Sequence, residues 1–269
     1  MALRDITLGQ FFPGNSPVHR LDPRTKIIAV VLFIVDLFLA NSLLTYGIMM
    51  AVLLLAILVS KVPFRSVFHG LKPVLFIAIL TGILNLFYTD GTHVITQLGP
   101  LTLSWEGIFH ALFMVLRIMM LVAGTFLLTY TTSPILLTDG LEALLSPLKK
   151  IHVPVHDLAM MMSIALRFIP TLIEETDKIM SAQRARGADF ESGNLIQRAK
   201  ALIPLLVPLF VSAFRRADEL ATAMECRCYH GGEGRTRLRQ LKLRGADHFT
   251  LVIFVLVSVL VWILGRVGL

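Results

Sequence analysis

Of 269 residues, 55% are hydrophobic and 16% are charged, where an average soluble domain carries ~25% charged residues. With a mean hydropathy of +0.75, this composition rules out an ordinary soluble domain and predicts a polytopic membrane protein with no nucleic-acid partner. The net charge of +7 is concentrated in particular segments, so its placement carries information.

The first twenty residues contain no 7–15-residue apolar core of the kind a secretory signal needs, and none is expected. Membrane spans require ~20 mostly apolar residues, and five are predicted. They are Lys26–Ala40, Ser42–Ser60, Pro73–Tyr88, Trp105–Thr129 and Phe249–Leu264. The first two form a tight hairpin at Asn41–Ser42, because one helix over 27–60 would be ~51 Å long, too long for a ~30 Å core. Loop charge sets the orientation. Arg4, Arg20, Arg24, Lys26, Lys61, Arg65 and Lys72 fall on one side; the Asn41–Ser42 turn is uncharged and the loop after the third span has only Asp90 and Glu106. The N-terminus is expected in the cytoplasm and Leu269 outside. "VITQLGPLTLSWEG" has turn residues between short apolar runs, the pattern of a small β-hairpin.

Residues 131–247 hold 16 of the 25 Lys/Arg and 13 of the 18 Asp/Glu, interleaved with apolar blocks. The expected organisation is an N-terminal transmembrane bundle (1–130), a cytoplasmic region (131–247) and a last transmembrane helix (248–269). Within the middle region two long helices are predicted, Val155–Arg186 and Leu195–Arg227, lying at or beneath the membrane surface. Two further spans are the rival reading, which loop charge alone does not separate. Pro170 interrupts the first helix; Pro204 and Pro208 interrupt the second. Each proline removes a hydrogen bond and is expected to kink or hinge its helix. The fold class is therefore all-α: about five transmembrane helices plus two long kinked surface helices.

The two long helices share one plan at an offset of 41 residues: Asp177 matches Asp218, Ile179 matches Leu220, Ala182 matches Ala223 and Arg186 matches Arg227. Arginine in a last helical turn is ordinary, since the helix dipole favours a cation there. Its duplication between small residues points instead to two copies of a docking device. A guanidinium in a groove grips a carboxylate bidentately, and two such tips suit a partner with two similar grooves, such as a dimer.

These residues carry a family resemblance. "LGQFFPGNSPVHRLDPRTKI" (Leu8–Ile27), "RFIPTLIEETDKIMSAQRARG" (Arg167–Gly187) and "RADELATAMECRCYHGGEGRT" (Arg216–Thr236) resemble, in order, the N-terminal signature and the two coupling helices of the transmembrane T component (EcfT) of energy-coupling factor vitamin transporters. The resemblance implies a non-catalytic subunit of a bacterial cell membrane. It would join two ABC-type ATPases to a small substrate-binding S component, with ATP hydrolysed in the partners and no cofactor of its own. It also implies that Ala185-Arg186-Gly187 and Cys226-Arg227-Cys228 are the tips entering the ATPase grooves. The first triplet matches the family's Ala-Arg-Gly in full; the second keeps arginine but replaces both neighbours with cysteine.

Other features are set aside. "GGEGRT" (Gly231–Thr236) lacks the Gly-Lys-Ser/Thr ending of a phosphate loop and follows a helix, so it is read as a basic linker. Cys226 and Cys228 are too close for an unstrained disulfide. With His230 they fall short of the four ligands of a structural zinc site, so no metal is expected. Asp36 and Arg117 lie at membrane depth, where they could pair with each other, face a partner or serve packing. Met119, Met120, Met160, Met161 and Met162 are read as core filler rather than an adaptable surface. The competing classes are a stand-alone secondary transporter, which would need inverted repeats with broken spans, and a membrane enzyme, for which no constellation of acids and bases is present.

Overall fold

The computed structural model describes residues 11–88, 94–98, 101–190, 194–231 and 240–267. Among these, helices follow in the order α1 (Pro17–Arg20), α2 (Pro23–Leu39), α3 (Leu43–Ser60), α4 (Phe64–Tyr88), α5 (Trp105–Thr131), α6 (Pro134–Leu145), α7 (Val155–Ala185), α8 (Leu195–Cys226) and α9 (Gly245–Val267). Between α4 and α5 lie β1 (Val94–Leu98) and β2 (Leu101–Ser104), antiparallel, as the turn-rich sequence there anticipates. The protein is thus an all-α membrane protein with one short hairpin. Asp90, Ser192, Leu269 and the part of "GGEGRT" after Gly231 lie outside the described residues.

The chain divides into two compact units. One comprises Gly9–Leu141 with Leu241–Leu269 and contains α2–α5 and α9. Its helix ends follow from local chemistry. Pro23 sits at the first turn of α2, where its missing N–H costs nothing, and the Asp22 carboxylate accepts from the Arg24 N–H at 2.9 Å. Ser42 and Thr45 form a reciprocal capping box that starts α3 directly after the Ala40–Asn41 turn. Phe33, Leu37, Met49, Leu53, Ile57, Met120 and Val261 then interlock in the core. Gly70 and Gly82 let α4 approach α5 closely: a Cβ on either would come within 2.7 Å of Phe126 or Val115.

The third predicted span requires correction. It was expected to begin at Pro73, but α4 begins at Phe64 and carries Pro73 inside it. The apolar stretch marks only the part suited to lipid, while the helix continues through Arg65, His69 and Lys72.

Lys26 is not a loop charge but a buried tie. Its Nζ donates to the Thr131 carbonyl at 2.9 Å, Thr132 Oγ1 at 3.0 Å and the His19 carbonyl at 3.3 Å. Asp247 joins the same end of the unit. One carboxylate oxygen accepts from the Asp22 N–H at 2.8 Å and the other from the Arg244 N–H at 2.7 Å, capping α9. His19 accepts from the Ser16 hydroxyl through Nδ1 and donates to the Phe12 carbonyl through Nε2, the neutral tautomer consistent with both contacts. Burial holds its pKa below the ordinary histidine value. The "SPVHRLDPRTK" stretch is therefore a polar knot tying the start of α2 to the ends of α5 and α9.

Asp36 and Arg117 do not pair. Asp36 accepts from Ser258 Oγ at 2.8 Å, whereas Arg117 donates to Tyr46 Oη at 2.9 Å and to the Ala40 carbonyl at 3.1 Å. Met120 is core, as expected; Met161 and Met162 are not filler but half-exposed.

The second unit, Glu142–Gln240, contains α7 and α8. With α3, α4, α5 and α9, these make, among the described residues, six helices long and apolar enough to cross a membrane.

Candidate functional site: two matched arginine tips

Pro170 lies within α7, and Pro204 and Pro208 lie within α8; the helices continue through them. Pro208 cannot donate to the carbonyl four residues back, which belongs to Pro204. That carbonyl instead accepts from Gln183 Nε2 of α7 at 3.4 Å. Further along, Glu175 accepts from Ser212 Oγ at 2.5 Å and from Arg216 Nη2 at 2.7 Å. Tyr229, just beyond α8, donates its hydroxyl to Met160 Sδ at 3.1 Å. As numbers rise along α7 through 160, 175 and 183, the partners fall through 229, 216 and 204. The two helices are antiparallel.

Glu175 and Arg216 stand 41 residues apart, the offset that relates the two sequence copies. Equivalent positions therefore meet at the crossing with opposite charge, the arrangement expected of a local pseudo-two-fold axis. Arg186 and Arg227 lie at opposite ends of the pair, on the order of 35 Å apart along straight axes at 1.5 Å per residue.

Both ends close the same way. After α7, Gly187 N–H donates to the Arg184 carbonyl at 3.0 Å and Ala188 N–H to the Gln183 carbonyl at 3.0 Å. After α8, Cys228 N–H donates to the Glu225 carbonyl at 2.9 Å and Tyr229 N–H to the Met224 carbonyl at 3.0 Å. Each is a Schellman closure with arginine as the last half-helical residue and a left-handed residue after it. Gly187 has φ +86° and Cys228 has φ +57°. All six residues, Ala185, Arg186, Gly187, Cys226, Arg227 and Cys228, are exposed. Neither Arg186 nor Arg227 has a carboxylate partner among the described residues. Both cysteines are free thiols, and His230 Nδ1 meets the Cys228 carbonyl rather than a sulfur.

The departure from Ala-Arg-Gly thus falls on a residue that must adopt a left-handed conformation, which costs a non-glycine residue ~1–2 kcal/mol. Cys228→Gly is expected to stabilise the end of α8 by about 1 kcal/mol and Cys228→Val to weaken it, because a branched Cβ tolerates positive φ poorly. Amide hydrogen exchange at Tyr229, whose N–H closes the motif, reads the change: about fivefold slower in the glycine variant and faster in the valine variant.

Sequence reasoning placed both arginine triplets at helix ends but missed what holds the pair together: Gln183 on the Pro204 carbonyl, and Glu175 between Ser212 and Arg216. Two signals pointed there. A proline at 208 frees the carbonyl at 204, and Glu175 and Arg216 share the repeat offset.

Fold and site define a class: a polytopic helical membrane protein carrying a long antiparallel helix pair with duplicated, exposed arginine tips. Residues 14–238 match the family model described as CbiQ, cobalt transport protein. The chain is 56% identical over 245 residues to the energy-coupling factor transporter transmembrane protein EcfT of Thermosediminibacter oceani, covering 91% of this chain and 92% of that one. It is 55% identical over 272 residues to EcfT of Clostridium kluyveri, with 98% of each chain covered. Against EcfT of Bacillus subtilis it is 50% identical over 259 residues, covering 96% and 98%. The chain belongs to this family, the transmembrane components of energy-coupling factor transporters.

Proposed function

We propose that this chain is the non-catalytic coupling scaffold of an energy-coupling factor transporter in a bacterial cytoplasmic membrane. It links two ABC-type ATPases to a small S component that binds a vitamin or other micronutrient. The observation that carries this reading is the pair of identically closed tips, Ala185-Arg186-Gly187 and Cys226-Arg227-Cys228, on a pseudo-symmetric antiparallel helix pair. A two-fold partner presents two equivalent grooves at a fixed spacing, and each unpaired guanidinium suits a carboxylate in one of them. When the ATPases close on ATP, the tips move with them and the α7–α8 crossing changes its angle about Pro170, Pro204 and Pro208.

The S component rests on the apolar side of the pair. Ile203, Leu206, Val207, Phe210, Val211 and Phe214 recur at helical spacing along α8 and are all exposed. A stripe of this size in contact with water would be unfavourable, so lipid or a membrane partner covers it. Copurification tests the assignment. A tagged copy expressed with its native partners is expected to bring down ATPase subunits and a small membrane protein in stable association, while the isolated chain hydrolyses no nucleotide. Recovery of an isolated subunit that transports alone would support the secondary-transporter reading instead.

The proposed organisation is a transmembrane bundle at 1–130, a cytoplasmic coupling region at 131–247 and a final span at 248–269, with the N-terminus inside. α7 and α8 lie along the membrane surface despite their apolarity, because each ends in a strongly charged half. Single cysteines placed at Asp90 and Ser192, in a chain lacking Cys226 and Cys228, report the topology. An impermeant maleimide is expected to label Asp90→Cys in intact cells and Ser192→Cys only after lysis. External labelling at 192 would overturn the orientation.

A further inference from the structure

α2 and α5 run antiparallel. Lys26 meets Thr131 at one end, and Ala40 meets Arg117 fourteen residues further along each helix. The α2–α3 hairpin therefore stops ~21 Å from the Lys26 level, while α5 continues about twelve residues, ~18 Å, beyond it. The step leaves a cavity of about 540 Å³ over the hairpin tip, on the side away from the Lys/Arg-rich loops. Asn41 forms part of its floor; Asn85, Phe109, His110, Met114 and Arg117 line it. Tyr46 and Phe113, stacked at 4.8 Å between ring centroids, complete an aromatic wall.

Arg117 is held in a fixed pose. Two of its five N–H groups are committed, to Tyr46 Oη and the Ala40 carbonyl. The Phe38 and Tyr46 rings lie 5.6 and 5.8 Å from the guanidinium carbon. No carboxylate pairs with it among the described residues. The carbonyl end of α2 partly offsets the charge, but a guanidinium inside the candidate membrane span Gly107–Thr131 remains one anion short. The side chains of His110 and Asn41 make no hydrogen bond among the described residues, while Asn85 Nδ2 donates to the Thr81 carbonyl at 3.0 Å. Cation, carboxamides and imidazole together form a donor set for an oxyanion with several acceptor oxygens, and the apolar walls suit an acyl chain.

We propose that this cavity binds a phosphate-bearing anion through Arg117, the phosphate of a lipid headgroup being the source its apolar and aromatic walls favour. This inference is independent of the arginine tips.

The test uses the full chain in detergent, offered phosphatidylglycerol or the phosphate-free diglucosyl diacylglycerol, with bound lipid counted by native mass spectrometry. Wild type is expected to retain one phosphatidylglycerol at least tenfold better than the glucolipid. Arg117→Gln should lose that preference. Because Arg117 also caps α2, Met114→Trp supplies a second arm: it fills the cavity and leaves both Arg117 hydrogen bonds in place, so the melting temperature should hold while the lipid is lost. Millimolar inorganic phosphate that displaces the lipid would assign the site to free phosphate as well; no displacement assigns it to the lipid. Equal retention of the two lipids by wild type, or undiminished phosphatidylglycerol in Met114→Trp, overturns the proposal.

Discussion

A tagged chain carrying Arg186→Ala and Arg227→Ala together is expected to retain no ATPase, while each single variant retains a reduced fraction. Truncating one member of a buried charged pair commonly costs ~2–5 kcal/mol, partly because the other charge is left buried. At ~1.4 kcal/mol per tenfold, one loss weakens docking by roughly 30- to 4000-fold. The intact second tip offsets much of this in the single variants, since both tips sit on one helix pair and each raises the other's effective concentration. Arg→Lys should restore only part of the binding, because an ammonium lacks the planar fork. Cys226→Ala with Cys228→Gly should dock as well as wild type, with its local closure slightly strengthened. If the arginines only terminated helices or touched lipid headgroups, each loss would stay below ~1 kcal/mol and subunit composition would not change. ATPase retained per tagged chain, measured across the single and double variants, separates the outcomes; full retention in the double variant would return both tips to ordinary helix ends.

Lys26→Met is expected to destabilise the first unit severely. The side chain keeps nearly its length, so the loss is polar: the Thr131 carbonyl, Thr132 Oγ1 and the His19 carbonyl lose their donor together. Stranding a buried acceptor costs ~1–3 kcal/mol, so three give about 3–9 kcal/mol, a large share of the 5–15 kcal/mol typical of a folded domain. Lys72→Met, at an exposed position of α4, is the control, and its effect should stay within about 0.5 kcal/mol. Apparent melting temperature and yield in detergent read the difference. Equal melting of the two variants would mean that the buried ammonium contributes nothing to the fold.

The long helices were legible because their punctuation is local. The predicted Val155–Arg186 and Leu195–Arg227 differ from α7 and α8 by one residue at each C-terminus, since the residue that ends a helix does so by its own backbone preference and its neighbours' capping. The duplication was legible for the same reason: a repeat is a property of the chain. Where apolarity stood in for helicity, the reading failed. α4 starts nine residues before Pro73 because its first turns leave the lipid without leaving the helix.

The sequence by itself determined the class, the family likeness, the two arginine-bearing helix ends and most boundaries of the long helices. Only the tertiary structure decided which charges are surface and which are structural. Lys26 counts as a loop charge until α5 delivers two acceptors from 105 and 106 residues away. Asp36 and Arg117 look like a pair until Ser258 and Tyr46 claim them separately. Cys228 reads as a tolerable small residue until the closure of α8 demands φ +57° of it. A side chain's partner depends on which helices pack together, and packing is a property of the assembled fold that periodicity along one chain does not encode.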